Sequence, residues 1–164
     1  MMQFPTNEFP GLGFELQRRF RASPERVFQA WTQPTALCEW WCPPGWIADD
    51  IDIDLREGGV YHIVMQRSAG GTGVSVSGRF IEIRAPERLV YTWRWEGAFA
   101  EMPETLVTLE LQGTSDETLL TLCHEGFHED GTQQQHRSGW ITACDRLDQS
   151  LSAQAAPAER SLAV

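Results

Sequence analysis

The chain has 164 residues, 41% of them hydrophobic, and a formal net charge of −10. That length supports one domain with a full core and excludes two ordinary ones, while the acidic balance argues against nucleic acid or an anionic membrane as partner. All 13 basic residues are Arg, which excludes Schiff-base, pyridoxal-phosphate and P-loop mechanisms, each of which needs a lysine side chain.

No stretch approaches the 18 or so apolar residues of a membrane helix, and the N-terminus lacks the basic and apolar regions of a secretory signal. Cys38, Cys42, Cys123 and Cys144 are irregularly spaced, which fits reduced thiols better than a disulfide framework. These features predict a soluble, cytoplasmic protein with no metal and no cofactor.

Residues 1–12, with Pro5, Pro10 and Gly11, read as an irregular leader. Phe14, Leu16 and Phe20 share one face of a first strand, with Arg18 on the same face. Ser23-Pro24 starts a helix, Ser as N-cap and Pro at the first helical position, with Val27, Phe28 and Trp31 on its apolar side. A second short helix is predicted over Pro34–Trp41. It carries Cys38, Trp40, Trp41 and Cys42 and is stopped by Pro43-Pro44-Gly45. The apolar neighbours predict buried free thiols at both cysteines.

Six strands follow. Ile51, Ile53 and Leu55 alternate with Asp50, Asp52 and Asp54, and Val60–Gln66 returns after a Gly58-Gly59 turn. The Gly70–Gly73 run leads into Val74–Arg84. Leu89, Tyr91, Trp93 and Trp95 alternate strictly with Val90, Thr92 and Arg94. Thr105–Leu111 and Thr118–Glu125 form the last pair. Trp140, Cys144, Leu147 and Leu151 then make one helical stripe about three turns long, flanked by the small residues Gly139 and Ala143. Residues 152–164 have too little hydrophobicity to fold and are expected to be a disordered tail.

A strand, two short helices, six consecutive antiparallel strands and one long helix define an α+β domain over residues 13–151. Its curved sheet of about seven strands must wrap on the C-terminal helix, leaving a space between them. Specific stretches carry a family likeness. They are Arg19-Phe20-Arg21-Ala22-Ser23-Pro24, Trp40-Trp41, Leu55-Arg56-Glu57-Gly58-Gly59, Pro86–Trp93, His124-Glu125-Gly126-Phe127 and Gly139-Trp140. On these the chain resembles the activator of heat-shock protein 90 ATPase homologue-like family of the START-like (SRPBCC, Bet v 1-like, helix-grip) superfamily. The resemblance implies the helix-grip fold and, from the range of the superfamily, ligand carriage, chaperone activation or ring cyclisation. Cys42 stands where relatives usually have glycine, which bears on the cavity mouth.

His124-Glu125-Gly126-Phe127-His128 matches the H-E-x-x-H pattern of zinc proteases, which needs both histidines on one helical face. The strand period through Thr118–Cys123 sends His124 and Glu125 to opposite faces, so no metal site is expected there. His124, His136 and Arg18 fall at positions predicted to face the cavity. With Trp40, Trp41, Tyr91, Trp93 and Trp140 they form the candidate ligand-binding set, an aromatic wall with a few polar anchors. The function expected is therefore binding of a small apolar or aromatic molecule between sheet and C-terminal helix. Two alternatives stand beside it: a module modulating a chaperone or other partner through its acidic surface, and a cyclase or hydratase using a pocket histidine.

Overall fold

Inward and outward side chains alternate along seven strands: β1 (Leu12–Phe20), β2 (Trp46–Ile53), β3 (Val60–Arg67), β4 (Val74–Arg84), β5 (Arg88–Glu96), β6 (Thr105–Gly113) and β7 (Thr118–Phe127). The structure, a computed structural model, describes residues 9–71 and 73–162, with the backbone alone for 155–162. Residues 1–8 of the expected leader lie outside the described residues.

The strands form one antiparallel sheet in the order β1-β7-β6-β5-β4-β3-β2. Short turns make β2 to β7 a meander, and β1 closes onto β7 to pair the two ends of the fold. Register shifts at Ala48/Asp50 and Phe80/Glu82 bend the sheet, because an extra residue in one strand sharpens local twist. At Gly78 a Cβ would lie 1.9 Å from the Thr92 carbonyl oxygen and 2.5 Å from the Tyr61 ring. Only glycine lets Tyr61 cross strand β4 there and donate its hydroxyl to Thr92 at 2.6 Å.

Helices α1 (Pro24–Thr32) and α2 (Pro34–Leu37) connect β1 to β2. Ser23 Oγ accepts from the Arg26 amide at 3.3 Å, satisfying one of the unpaired donors of the first turn. The second helix is shorter than predicted. It ends at Leu37, and the chain turns through Cys38–Cys42 so that Trp40 and Trp41 are placed by their own packing rather than by helical spacing. Cys38 is consequently exposed, contrary to expectation, while Cys42 is buried.

Helix α3 (Asp130–Leu162) covers the inward face of the sheet. Trp140, Cys144, Leu147 and Leu151 are all at most 4% exposed, as their spacing required. The helix begins at Asp130, so the Gly139-Trp140 pair lies in its interior. It also continues past Leu151 to Leu162, where low hydrophobicity predicted disorder. The Ala-rich run Ala153–Ala156 has high helix propensity and extends an already nucleated helix one backbone hydrogen bond at a time.

Candidate functional site

Where α3 crosses the strands, the layers do not close completely. A cavity of about 300 Å³ remains between β5, α3 and the turn after α2. Strand β5 supplies Trp93 and Trp95, which are successive inward positions of its period-2 face, and β3 supplies Met65. The turn contributes Trp41, Cys42 and Pro43, and the segment after β5 contributes Phe99 and Met102. From α3 come Gln135, His136 and Trp140, with Gly139 and Ala143 on the same wall. Small residues at those two helix positions leave room that larger side chains would fill.

The aromatic rings pack against one another as well as around the space. Trp93 lies 5.7 Å from Trp41, 5.7 Å from Trp95 and 5.5 Å from Trp140, centroid to centroid, all tilted or edge-on. These are favourable quadrupole arrangements that hold the wall rigid.

Two histidines, His136 in this wall and His124 behind it, are locked by indole donors. His124, on β7, is fully buried. Trp140 Nε1 donates to its Nδ1 at 3.0 Å, while its Nε2 meets Thr105 Oγ1 at 2.7 Å. Since an indole N–H can only donate, Nδ1 must be the acceptor and Nε2 carries the proton. Thr105 Oγ1 in turn donates to the Trp93 carbonyl at 3.3 Å.

His136, on α3, is held in the opposite tautomer. Trp95 Nε1 donates to its Nε2 at 2.9 Å, and its Nδ1–H donates to the Thr132 carbonyl at 2.8 Å. Burial pushes the pKa of His124 well below the ordinary value near 6.5, and the nearby His136 lowers it further. Burial also lowers His136, partly offset by the Thr132 carbonyl. Both rings are neutral at pH 7 with every ring nitrogen engaged. Neither is free to shuttle a proton.

Of the eight residues expected to hold a ligand, Trp41, Trp93, His136 and Trp140 line the cavity. The other four do not. Arg18 reaches outward along α3 and pairs with Asp145 at 2.6 Å, because a long charged side chain gains more from an exposed carboxylate than from an apolar space. Trp40 is fully buried, donating to the Ala30 carbonyl at 3.0 Å and packing 4.6 Å from Trp31. Tyr91 accepts from Trp31 Nε1 at 3.1 Å within the packed core. It borders only a void of about 30 Å³ beneath Trp93, enough for one water. His124 sits behind Trp140 and outside the wall.

Lining residues outside the expected ligand-binding set include Cys42, Met65, Trp95, Phe99, Met102 and Gln135. Trp95 and Met65 continue the inward registers of β5 and β3 and could have been extended from them. Phe99 and Met102 lie in irregular chain, where no periodic signal exists.

The H-E-x-x-H string lies on β7 and the residue after it, with Gly126 at φ 105. His124 points inward to Trp140, and Glu125 occupies the other face. Among the described residues no group of three or more His, Cys, Asp or Glu is placed to hold a metal ion. The buried thiols are not activated either. Burial pushes Cys42 up to about 11, and Cys123 and Cys144 up to about 12, which disfavours the thiolate.

A curved antiparallel sheet gripping one long helix around an aromatic cavity places this domain in the helix-grip class. The sequence matches the family described as activator of Hsp90 ATPase homolog 1-like protein over residues 21–152, and the chain belongs to that family. Protein CV1439 from Chromobacterium violaceum has a solved structure that is 29% identical, covering 83% of this chain and 94% of its own, with a TM-score of 0.75. NE0264 from Nitrosomonas europaea is also 29% identical, over 88% and 97% of the two chains, at TM-score 0.73. The AHSA1 (SPO3351) protein from Silicibacter pomeroyi, 24% identical over 87% and 99%, shares the fold at TM-score 0.75. No protein of curated function matches the sequence. Among the described residues no helix is long and apolar enough to cross a membrane.

Proposed function

We propose that this protein binds a small apolar or aromatic molecule in the cavity between β5, α3 and the turn after α2. The observation that carries the reading is a space of about 300 Å³ walled by four tryptophans, Trp41, Trp93, Trp95 and Trp140. Such a volume lies at the lower end of ligand pockets, which are mostly apolar with few polar groups. A guest burying about 200 Å² of apolar surface gains roughly 5 kcal/mol before the cost of association. Acid–base chemistry finds no free group here, since both histidines are engaged at both nitrogens.

The test is a thermal-shift screen of neutral aromatics, sterols and fatty acids, with native mass spectrometry of freshly purified protein. A ligand at a hundredfold excess over Kd stabilises the fold by about 2.7 kcal/mol, which raises Tm by roughly 5–11 °C. A Gly139→Phe variant localises the effect. A Cβ at Gly139 meets nothing within 4 Å, so the added ring fills the space and the shift disappears. No shift with any compound, and no co-purified molecule, would overturn the reading.

A further inference from the structure

Resting on the ligand-binding reading above, we infer that the cavity selects an uncharged aromatic molecule of about two rings carrying one hydrogen-bonding group. Its rings would lie among Trp41, Trp93 and Trp140, and its polar group would meet the Gln135 amide at the mouth. Size, charge and hydrogen bonding each point to this class.

Size comes first. An apolar cavity of about 150 Å³ accommodates benzene, so the 300 Å³ here accommodates roughly two fused rings. Rigid indole walls held by their own hydrogen bonds do not expand easily. Trp95 is tied to His136 by a part-buried bond and Trp140 to His124 by a buried one, and rotating either ring breaks its bond. A long chain or a sterol would need that rearrangement or would leave much of its apolar surface protruding from the mouth.

Charge comes second. Among the described residues no Asp, Glu or Arg lines the wall, and His136 is neutral with both nitrogens used. A carboxylate entering this space loses its hydration and gains no cation, which is costly. The chain that carries the rim residues Trp95, Phe99 and Met102 also carries Glu96, Glu101 and Glu104, adding repulsion for an anion. Its one basic residue, Arg94, approaches Glu104 at 3.9 Å. Arg137, beside His136, borders a separate groove with Arg18 and Ile141. Arg146 does not line the cavity, although its charge reaches Cys42 in the wall and its Nη1 is buried without a hydrogen-bond partner.

Hydrogen bonding comes third. Gln135 is exposed at the mouth, and its amide takes no hydrogen bond from the described residues. It can both donate and accept, so it fits an amide, carbonyl or hydroxyl on a guest. Elsewhere in the wall the Trp95 and Trp140 indole N–H groups and both His136 nitrogens are occupied. Trp93 Nε1 is buried with no acceptor, and the Trp41 N–H, which has no acceptor among the described residues, offers a guest a second donor.

The probes are naphthalene-2-carboxamide, its isosteric partner naphthalene-2-carboxylate, naphthalene itself, hexadecanamide and hexadecanoate, each titrated by tryptophan fluorescence at pH 7.5. The carboxamide is expected to bind at least about tenfold tighter than the carboxylate, and tighter than hexadecanamide. Gln135→Ala, an exposed change that leaves the fold intact, should weaken the carboxamide by about 2- to 12-fold, the value of one hydrogen bond, and leave naphthalene unchanged. Equal or tighter binding of the carboxylate overturns the charge selection, and its loss in Arg146→Gln would assign an anion site there instead. Tighter binding of hexadecanamide overturns the size argument. Hexadecanoate binding with no naphthalene probe binding refutes this inference while leaving ligand binding standing; no binding by any probe refutes both.

Discussion

Replacing Trp140 with Phe isolates the hydrogen bond that joins α3 to the sheet. The ring remains apolar and can still pack near Trp31, 5.8 Å away in a stacked arrangement. What disappears is the Nε1–H accepted by His124 Nδ1 at 3.0 Å. The imidazole cannot re-pair by flipping, because its Nε2–H is held by Thr105 Oγ1 and that hydroxyl is committed to the Trp93 carbonyl. Whichever tautomer forms, one buried ring nitrogen stays unpaired, at a cost of about 1–3 kcal/mol. The smaller ring leaves a gap worth about 1 kcal/mol more. The expected total of about 2–4 kcal/mol is a large part of the roughly 5–15 kcal/mol that stabilises a domain. Urea unfolding followed by circular dichroism measures it, in a cycle with His124→Phe and the double variant. Because removing both partners leaves no orphan on either side, the double variant should be about 1–2 kcal/mol more stable than the sum of the singles implies. Additivity within about 0.5 kcal/mol would refute the hydrogen-bond argument and reduce Trp140 to a packing residue.

Two further outcomes follow from the same geometry. His124 is held neutral with its pKa well below 6.5, so between that pKa and about 6.5 the unfolded chain binds a proton that the native one does not. Stability should therefore fall as pH drops below 6.5, by about 1.4 kcal/mol per unit from His124 alone, with His136 adding to it. Burial raises the pKa of Glu125 and works in the opposite direction. Urea midpoints between pH 7.5 and 5.5 check this, and a slope unchanged in His124→Phe would show that the histidine is not the source. Iodoacetamide at pH 7.5 should label Cys38 alone in the native protein, because Cys42, Cys123 and Cys144 are buried and their thiols are pushed up to about 11 and 12. Intact-mass analysis showing two or more adducts before unfolding would contradict the burial described here.

Replacing His136 with Ala removes both of its hydrogen bonds. That substitution strands Trp95 Nε1 and removes the tie from β5 to α3, so a cost of about 1 kcal/mol is expected in addition to any effect on binding.

The element order, the inward stripe of α3 and the inward face of β5 were legible in the sequence, because periods of 3.6 and 2 are local properties that backbone geometry imposes. The Ser23 cap was legible for the same reason: a side-chain oxygen and an orphan amide three residues apart suffice. The cavity was legible only as a space that must exist somewhere between sheet and helix. Its members depended on where the chain turns after Leu37, which helical spacing misjudged, and on an irregular segment that brings Phe99 and Met102 to α3. Tertiary structure alone decided the roles of the polar residues. Arg18 shares the inward face of β1 and His136 lies beside cavity residues on α3, yet Asp145 takes one, and Trp95 with Thr132 takes the other. Asp145 lies 127 residues from Arg18 along the chain, and Trp95 lies 41 from His136. Periodicity states which face a side chain is on, but only the packed fold determines what waits for it there.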